Sequence, residues 1–271
     1  AHAPLTGSLG TVRGPCSTCR PRPSLWHVSR VAAPLVGLVQ GAWHGAWCWA
    51  ALQAELDRRG ISSLAIDLPG HGTSPFPLGD LHADAEAVVR VLRDLDDRGH
   101  RPPMLVGHSY GGAVITEAAS RYSTVAHLVY VAAFALDRGE SVMGALRSFP
   151  PRDVALSAAM RVVDGGAASV LDPATAAPAL YNECPPAIAE AALARLSPQP
   201  MATMVQDVTG SPRQSIASTY VLCERDLAVH PDHQRIMAAR CTDTVALDTD
   251  HSPFVSAVPE TADLIEAITR R

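Results

Sequence analysis

Lysine is absent from this chain of 271 residues, so all 22 of its basic residues are arginine. Any mechanism that depends on a lysine ammonium group is therefore excluded. Acidic residues outnumber basic ones, and a net charge of -5 lacks the excess of positive charge that is typical of proteins that bind nucleic acid or an anionic membrane. We therefore expect a small-molecule substrate, with no nucleic-acid or membrane partner.

Long apolar runs are missing as well. No stretch approaches the roughly 18 consecutive apolar residues of a membrane span, and no continuous apolar region typical of a secretory signal is visible. These absences predict a soluble, cytoplasmic protein. A monomer or a homodimer is compatible with this composition.

Cysteine is scarce, and six cysteines are too few in a chain of this size for a disulfide scaffold. Cys16 and Cys19 have the spacing of a metal or redox pair, but no second pair follows. We therefore expect no metal site and no cofactor.

The chain is 47 % hydrophobic, which is enough to bury the core of one domain or of a domain with an insertion. Residues 1–33 are rich in Pro, Arg, Ser and Gly and predict an irregular N-terminal arm. From Pro34 onward, apolar strands alternate with amphipathic helices, which predicts an α/β fold with a mainly parallel sheet of about six strands covered on both faces. The predicted strands are Leu35–Val39, Ser63–Ile66, Met104–Val106, His127–Ala132, Thr219–Cys223 and Thr244–Leu247.

Five helices are predicted between and after these strands. Asp80 serves as the N-cap of the second of them. The predicted helices are Trp47–Arg59, Leu81–Arg98, Gly111–Arg121, Asp232–Ala239 and Glu260–Thr269.

The alternation stops over residues 137–215, a stretch too long for an ordinary loop. It contains many prolines and an alanine-rich helical pattern at residues 186–196. We interpret residues 137–215 as an inserted helical cap over the carboxyl ends of the strands, where open α/β sheets bind ligands. Residues 34–136 and 216–271 then form the core.

Ser109 stands between two glycines, in Gly107-His108-Ser109-Tyr110-Gly111, where the third strand ends and a helix begins. This is the pattern of a nucleophile elbow, a strained turn that only residues without a Cβ permit. A serine hydroxyl becomes a nucleophile only when a base takes its proton and an acid orients that base. In folds with this elbow, the acid and then the histidine follow the serine along the chain.

His251 follows the last predicted strand and is the candidate base. His230 and His233 begin a predicted helix and are expected to be solvated, and His108 is expected to point away from the nucleophile. Asp226, after strand Thr219–Cys223, is the candidate acid, with Glu224 as the near alternative. The remaining candidates, expected to be surface charges, are Asp207, Asp243 and Asp250.

A tetrahedral intermediate needs two backbone donors for its oxyanion. The N–H of Tyr110 directly follows the nucleophile, and the N–H of Ala42 lies in the loop after the first strand. Trp43 and His44 in this loop are candidates to line the pocket, with core packing as the alternative. The same two interpretations apply to Phe134, Tyr181, Met201, Met204 and Phe254.

These motifs together resemble the α/β-hydrolases, and more narrowly the esterase and hydroxynitrile lyase group that includes plant methylesterases. The resemblance covers residues 34–270 and rests on the Gly41–Trp49 loop, on Asp67-Leu68-Pro69-Gly70-His71-Gly72, on the Ser109 elbow, on Asp226 and on Asp250-His251. It implies an α/β-hydrolase fold and a serine hydrolase without cofactor that cleaves a small carboxylic ester or a lactone.

Gln40 is a departure from this group, which usually has histidine there to shape the loop. Plant hydroxynitrile lyases have threonine at the position of Gly41 and lysine directly after the catalytic histidine, where this chain has Ser252. The missing lysine argues against cyanohydrin cleavage. Carbon–carbon bond hydrolysis by the same triad, and a ligand-binding receptor or carrier with little turnover, remain as alternatives.

Overall fold

The computed structural model describes residues 35–270, so the predicted arm at residues 1–33 and the pair Cys16 and Cys19 lie outside the described residues. Nine strands run through the described part of the chain in two sheets. The strands are β1 (Leu35–Val39), β2 (Ser62–Ile66), β3 (Met104–His108), β4 (His127–Val131), β5 (Met160–Val163), β6 (Ala168–Leu171), β7 (Gln199–Pro200), β8 (Ser218–Cys223) and β9 (Asp243–Leu247).

Eleven α-helices connect or follow these strands within residues 35–270. They are α1 (Ala50–Arg58), α2 (Leu81–Asp97), α3 (Gly111–Arg121), α4 (Val142–Ser148), α5 (Ala155–Ala159), α6 (Pro173–Leu180), α7 (Pro186–Leu193), α8 (Ala202–Val205), α9 (Pro231–Ala238), α10 (Pro253–Ser256) and α11 (Val258–Thr269). Asp80 caps α2 as predicted, because its side chain accepts a hydrogen bond from Ala83 N at 2.8 Å.

The main sheet has the strand order β2-β1-β3-β4-β8-β9, and all of its pairings are parallel. Its six strands are the six that the sequence predicts, with bounds that differ by at most two residues. The inner strands β3 and β8 are buried at every position, whereas the edge strands β2 and β9 are partly exposed. This gradient explains why the inner strands have nearly continuous apolar sequences.

Two apolar clusters cover the faces of the main sheet, one beneath α2 and α3 and the other beneath α1 and α11. The parallel pairing brings the carboxyl ends of β3, β8 and β9 to one edge. Loops that follow these strands therefore meet there. The α/β-hydrolase architecture expected from the motifs is confirmed.

The β4–β8 segment, residues 132–217, contains helices α4 to α8 and also a small antiparallel sheet in the order β5-β6-β7. The helical pattern predicts α7 but gives no sign of this sheet. Its strands are only four, four and two residues long, too short to show a period of two.

Candidate active site

Ser109 occupies the sharp turn between β3 and α3. Its φ is 51°, in the left-handed region that a non-glycine residue rarely adopts. A Cβ on Gly107 would lie 2.5 Å from the carbonyl oxygen of Gly111, and a Cβ on Gly111 would lie 2.5 Å from that of Val39. Only glycine permits this approach of strand and helix, so the Gly-x-Ser-x-Gly spacing is a steric requirement of the turn.

Asp226 and His251 are paired in the loops that follow β8 and β9. Nδ1 of His251 lies 2.7 Å from Oδ2 of Asp226, and both side chains are buried. The other carboxylate oxygen accepts the N–H groups of Ala228 at 2.7 Å and Val229 at 2.9 Å. The aspartate therefore holds the imidazole with its proton on Nδ1, which leaves Nε2 as the nitrogen suited to act as a base.

Gln234 on α9 is a third member of this group that the sequence analysis missed. Its Nε2 donates to Oδ2 of Asp226 at 2.8 Å and to the carbonyl of Val229 at 2.8 Å. Its Oε1 accepts the N–H of Cys223 at 2.9 Å. A buried glutamine on a predicted helix carries no pattern that would mark it, so only the tertiary contact reveals it.

Asp250 is a correction to the expected surface charges, because it is fully buried. Its Oδ1 accepts the Ser252 N–H at 3.1 Å and the Ser256 hydroxyl at 2.6 Å, and its Oδ2 accepts the Glu183 N–H at 3.0 Å. The carboxylate therefore organises the loop that presents His251.

His108 lies between the elbow and this loop. Its Nε2 donates to the carbonyl oxygen of His251 at 2.9 Å, and the two rings are 4.4 Å apart between centroids. Burial lowers the pKa of His108 well below its usual value. His108 is thus a neutral donor that connects the Ser109 turn to the His251 loop.

His233 is a second correction, because it was expected to be a solvated surface residue and is 6 % exposed. Its Nε2 lies 2.8 Å from the carbonyl oxygen of Pro150, and its ring packs 5.3 Å from that of Phe149. These contacts with the β4–β8 segment remove it from solvent.

Ala42 and Tyr110 line the cavity beside Ser109. Within residues 35–270 neither backbone N–H donates a hydrogen bond to another protein group, although both residues are buried. Buried backbone donors are normally paired, so two unpaired ones beside a serine have the arrangement of an oxyanion hole.

Gln40 lies at the start of the loop that contains Ala42 and binds backbone groups at the end of β2. Its amide fits between β2 and the following loop, with the nitrogen 2.6 Å from the carbonyl oxygen of Ile66 and the oxygen 3.1 Å from the N–H of Leu68. It therefore anchors the start of the loop without a histidine.

His44 and Tyr181 hold the loop from the other side rather than lining the cavity. Nδ1 of His44 donates to the carbonyl of Ala42 at 2.7 Å, and the Tyr181 hydroxyl lies 2.6 Å from Nε2. Burial lowers the pKa of His44 to about 4, so it is neutral at pH 7. Because the neutral ring of His44 carries its proton on Nδ1, its Nε2 accepts a hydrogen bond from the Tyr181 hydroxyl.

The cavity in front of Ser109 has a volume of about 340 Å³ and a largely apolar lining. Of the residues predicted to line it, Trp43, Phe134, Met201 and Met204 do so. Phe254 does not, because it is fully buried in the core with its ring 4.4 Å from Trp49 and 4.8 Å from His108. Further lining residues come from the β4–β8 segment and from the loop after Asp226: Val142, Met143, Leu146, Pro151, Arg152, Val154, Leu156, Ser157, Met160, Ser169, Ala228, Val229, His230 and His233.

Metal ligands are not grouped in the described part of the chain, where no three His, Cys, Asp or Glu side chains could hold an ion. The four cysteines between residues 35 and 270 are free thiols. Burial raises the pKa of Cys48 and of Cys223 well above the usual value, so neither is an activated nucleophile. No helix in this range is long and apolar enough to cross a membrane.

Comparison with known proteins identifies the family of the chain. The model of a family described as "Alpha/beta hydrolase family" matches residues 38–264. The alpha/beta hydrolase nvfD of Aspergillus novofumigatus is 32 % identical over 235 residues, which are 82 % of this chain and 91 % of that protein. Methylesterase 7 of Arabidopsis thaliana is 30 % identical over 245 residues, or 84 % and 93 % of the two chains.

A similar fold is found among solved structures. The crystal structure of a pyrethroid hydrolase from Sphingobium faniae JZ-2 has a TM-score of 0.74 with 22 % sequence identity, covering 88 % of this chain and 98 % of that one. At this identity, the likeness shows the fold alone.

Proposed function

The chain belongs to the alpha/beta hydrolase family and is a carboxylic ester hydrolase of it, and we propose that it works as a cofactor-independent serine hydrolase on a small ester or lactone. The observation that carries the proposal is the pair of unpaired, buried N–H groups of Ala42 and Tyr110 beside Ser109. Hydrolysis of an acyl group is the reaction that needs donors at this position, because a negative charge develops on the carbonyl oxygen.

In the proposed first half-reaction, Ser109 Oγ attacks the ester carbonyl carbon while Nε2 of His251 takes the hydroxyl proton. The Asp226 carboxylate stabilises the imidazolium that forms, across the 2.7 Å contact with Nδ1. Collapse of the tetrahedral intermediate breaks the bond to the alcohol, and His251 returns the proton to the leaving oxygen. The product of this half is an acyl-enzyme on Ser109.

In the second half, water takes the place of the alcohol. His251 removes a proton from the water as it attacks the acyl carbon, and then gives a proton back to Ser109 Oγ as the acid leaves. The same two N–H groups serve both tetrahedral intermediates. Apart from the substrate and this water molecule, the proposed steps use only groups of the chain itself.

The cavity supports an ester with a substantial apolar part. Its volume of about 340 Å³ lies at the lower end of small-ligand pockets, and the apolar part of its walls is formed mainly by Met, Leu, Val and Phe side chains. The relatives include proteins named methylesterase and esterase, which agrees with a small leaving alcohol or a modest acyl group.

A panel of p-nitrophenyl esters of increasing acyl length tests the proposal on the wild type and on Ser109→Ala. We expect a burst of p-nitrophenol equal to the enzyme concentration, followed by turnover, with both absent from the alanine variant. Wild-type turnover no higher than that of Ser109→Ala, together with tight ligand binding, would instead support a receptor or carrier.

A further inference from the structure

Trp43, the residue after Ala42, has a strained backbone. Its φ is 65°, and the residue is only 6 % exposed. A bulky side chain rarely adopts this left-handed region, and such a conformation persists only where surrounding contacts determine it. The contacts that hold the backbone of Trp43 in this conformation also affect the oxyanion hole, because Trp43 directly follows Ala42, the proposed oxyanion donor.

The polar groups of Trp43 all bind residues of the β4–β8 segment. Its N–H donates to Oε1 of Gln199 at 3.0 Å, and its carbonyl accepts the N–H of Ser197 at 2.9 Å. Its indole N–H donates to Oγ of Ser169 at 3.2 Å. The conformation of this residue of the core is thus determined by the segment that closes over the cavity.

The small antiparallel sheet explains how two of these partners reach Trp43 together. Ser169 on β6 is the register partner of Gln199 on β7, so their side chains emerge on the same face of the sheet. Both are 1 % exposed. Gln199 is held further by Thr203, whose Oγ1 accepts from Nε2 of Gln199 at 2.9 Å.

The peptide group between Ala42 and Trp43 is hydrogen-bonded at both its carbonyl oxygen and its N–H. The carbonyl of Ala42 accepts from Nδ1 of His44 at 2.7 Å, and the N–H of the same peptide group, on Trp43, donates to Gln199. The amide of Gln199 also meets Nε2 of His71 at 3.0 Å, which connects the loop after β2. The Ala42 N–H lies in the preceding peptide plane, which shares the Cα of Ala42 with this one, so a rotation of the held plane would disturb the direction of that N–H.

We propose that Gln199 is a positioning residue of the oxyanion hole, which holds the strained peptide after Ala42 so that the Ala42 N–H points at the reacting carbonyl oxygen. This inference rests on the proposed function. Because the oxyanion exists only in the tetrahedral intermediates, loss of the contact lowers kcat and leaves KM nearly unchanged.

Gln199→Met tests this inference, since methionine has a similar length but accepts no hydrogen bond. Removing an oxyanion donor outright costs about 10²–10³ in kcat, so displacing one is expected to cost about 10- to 100-fold, with KM within about twofold. Affinity for a trifluoromethyl ketone, whose adduct with Ser109 places an oxyanion in the same site, should fall by a similar factor. Gln199→Glu, which keeps an acceptor oxygen, should restore most of kcat.

Gln206→Met is the matched control, because it makes the same substitution in the same segment at a glutamine that contacts Leu81 and Asp80 rather than the Ala42 loop. Its kcat is expected to stay within about threefold of wild type. Gln199→Asn keeps the amide group but shortens the side chain by one methylene, which moves the amide oxygen away from the Trp43 N–H. It should lower kcat as Gln199→Met does, which keeps the test open if Gln199→Met does not fold.

Wild-type kcat in a folded Gln199→Met or Gln199→Asn variant overturns the role of Gln199, as does an equal loss in Gln206→Met. These outcomes are separate from failure of the proposed function. The latter appears as wild-type turnover that does not depend on Ser109.

Discussion

Oδ2 of Asp226 accepts hydrogen bonds from both Nδ1 of His251 at 2.7 Å and Nε2 of Gln234 at 2.8 Å. The carboxylate reaches the histidine from the loop after β8, and α9 brings the glutamine from behind. Gln234 thereby fixes the carboxylate of Asp226, and Asp226 holds the imidazole of His251 in a single tautomer.

Asp226→Asn is expected to lower kcat by about 10⁴-fold, because an amide nitrogen facing Nδ1 favours the wrong tautomer of His251. Steady-state kinetics on a p-nitrophenyl ester measures this loss. Glu224→Gln is the matched control, since Glu224 is an exposed partner of Arg235 and should leave kcat near the wild-type value. A larger loss in Glu224→Gln than in Asp226→Asn would reverse the assignment of the acid.

Gln234→Leu is expected to destabilise the fold by about 2–3 kcal/mol, because it leaves the buried N–H of Cys223 and the carbonyl of Val229 without this partner. Urea denaturation measures the change. We also expect kcat to fall by about tenfold, because Asp226 loses one of its donors. Unchanged stability together with unchanged kcat would show that the contacts of Gln234 are dispensable.

Asp84 is expected to make the fold less stable as the pH rises. Burial beneath Tyr110, whose hydroxyl donates to Oδ2 at 2.6 Å, raises the pKa of Asp84 to about 7. An unfolded aspartate has a pKa near 3.9, so the folded state binds the extra proton between about pH 4 and pH 7. Stability from this group is complete below about pH 4 and is lost as the pH rises through 7.

Asp84→Asn removes this ionisation and should therefore stabilise the protein at pH 8 relative to pH 5 by at most about 3 kcal/mol, because only the part of the pKa shift above pH 5 contributes to this difference. Urea denaturation at the two pH values measures the effect. Asp57→Asn, at an exposed position on α1, should show no such difference. An Asp84→Asn variant that gains no stability at pH 8 would contradict the burial argument.

Met143→Trp is expected to narrow the cavity and shorten the preferred acyl chain. Met143 lines the cavity, and a larger ring there occupies space that a long acyl group needs. We expect kcat/KM to fall by about tenfold or more for the longest ester accepted by the wild type, with little change for acetate, because a single methylene in an apolar pocket is worth about 1–3 kcal/mol. Val205→Trp, at an exposed position outside the cavity, serves as the control. An equal effect on all chain lengths would mean that Met143 does not bound the acyl site.

Local patterns in the sequence were enough to predict the strands of the main sheet and the order of the serine, the acid and the histidine along the chain. Apolar periodicity predicted the six strands of the main sheet, because each strand is a short contiguous segment whose burial shows in its own residues. The Ser109 elbow could be predicted because the glycines that its tight turn requires lie within two residues of the serine. Asp226 and His251 could be predicted because each follows a strand whose carboxyl end faces the same edge.

Tertiary structure alone decided what surrounds these residues. Gln234 and Gln199 act through hydrogen bonds to residues between four and 156 positions away, and nothing in their neighbourhood in the sequence marks them. The Asp250-His251 pair is visible in the sequence, but the burial of Asp250 is not. Two strands of two and four residues bring Ser169 beside Gln199, and no periodicity in such short segments predicts that pairing. A hydrogen bond between distant segments depends on how those segments pack, so the support of the oxyanion loop could be found only in the folded chain.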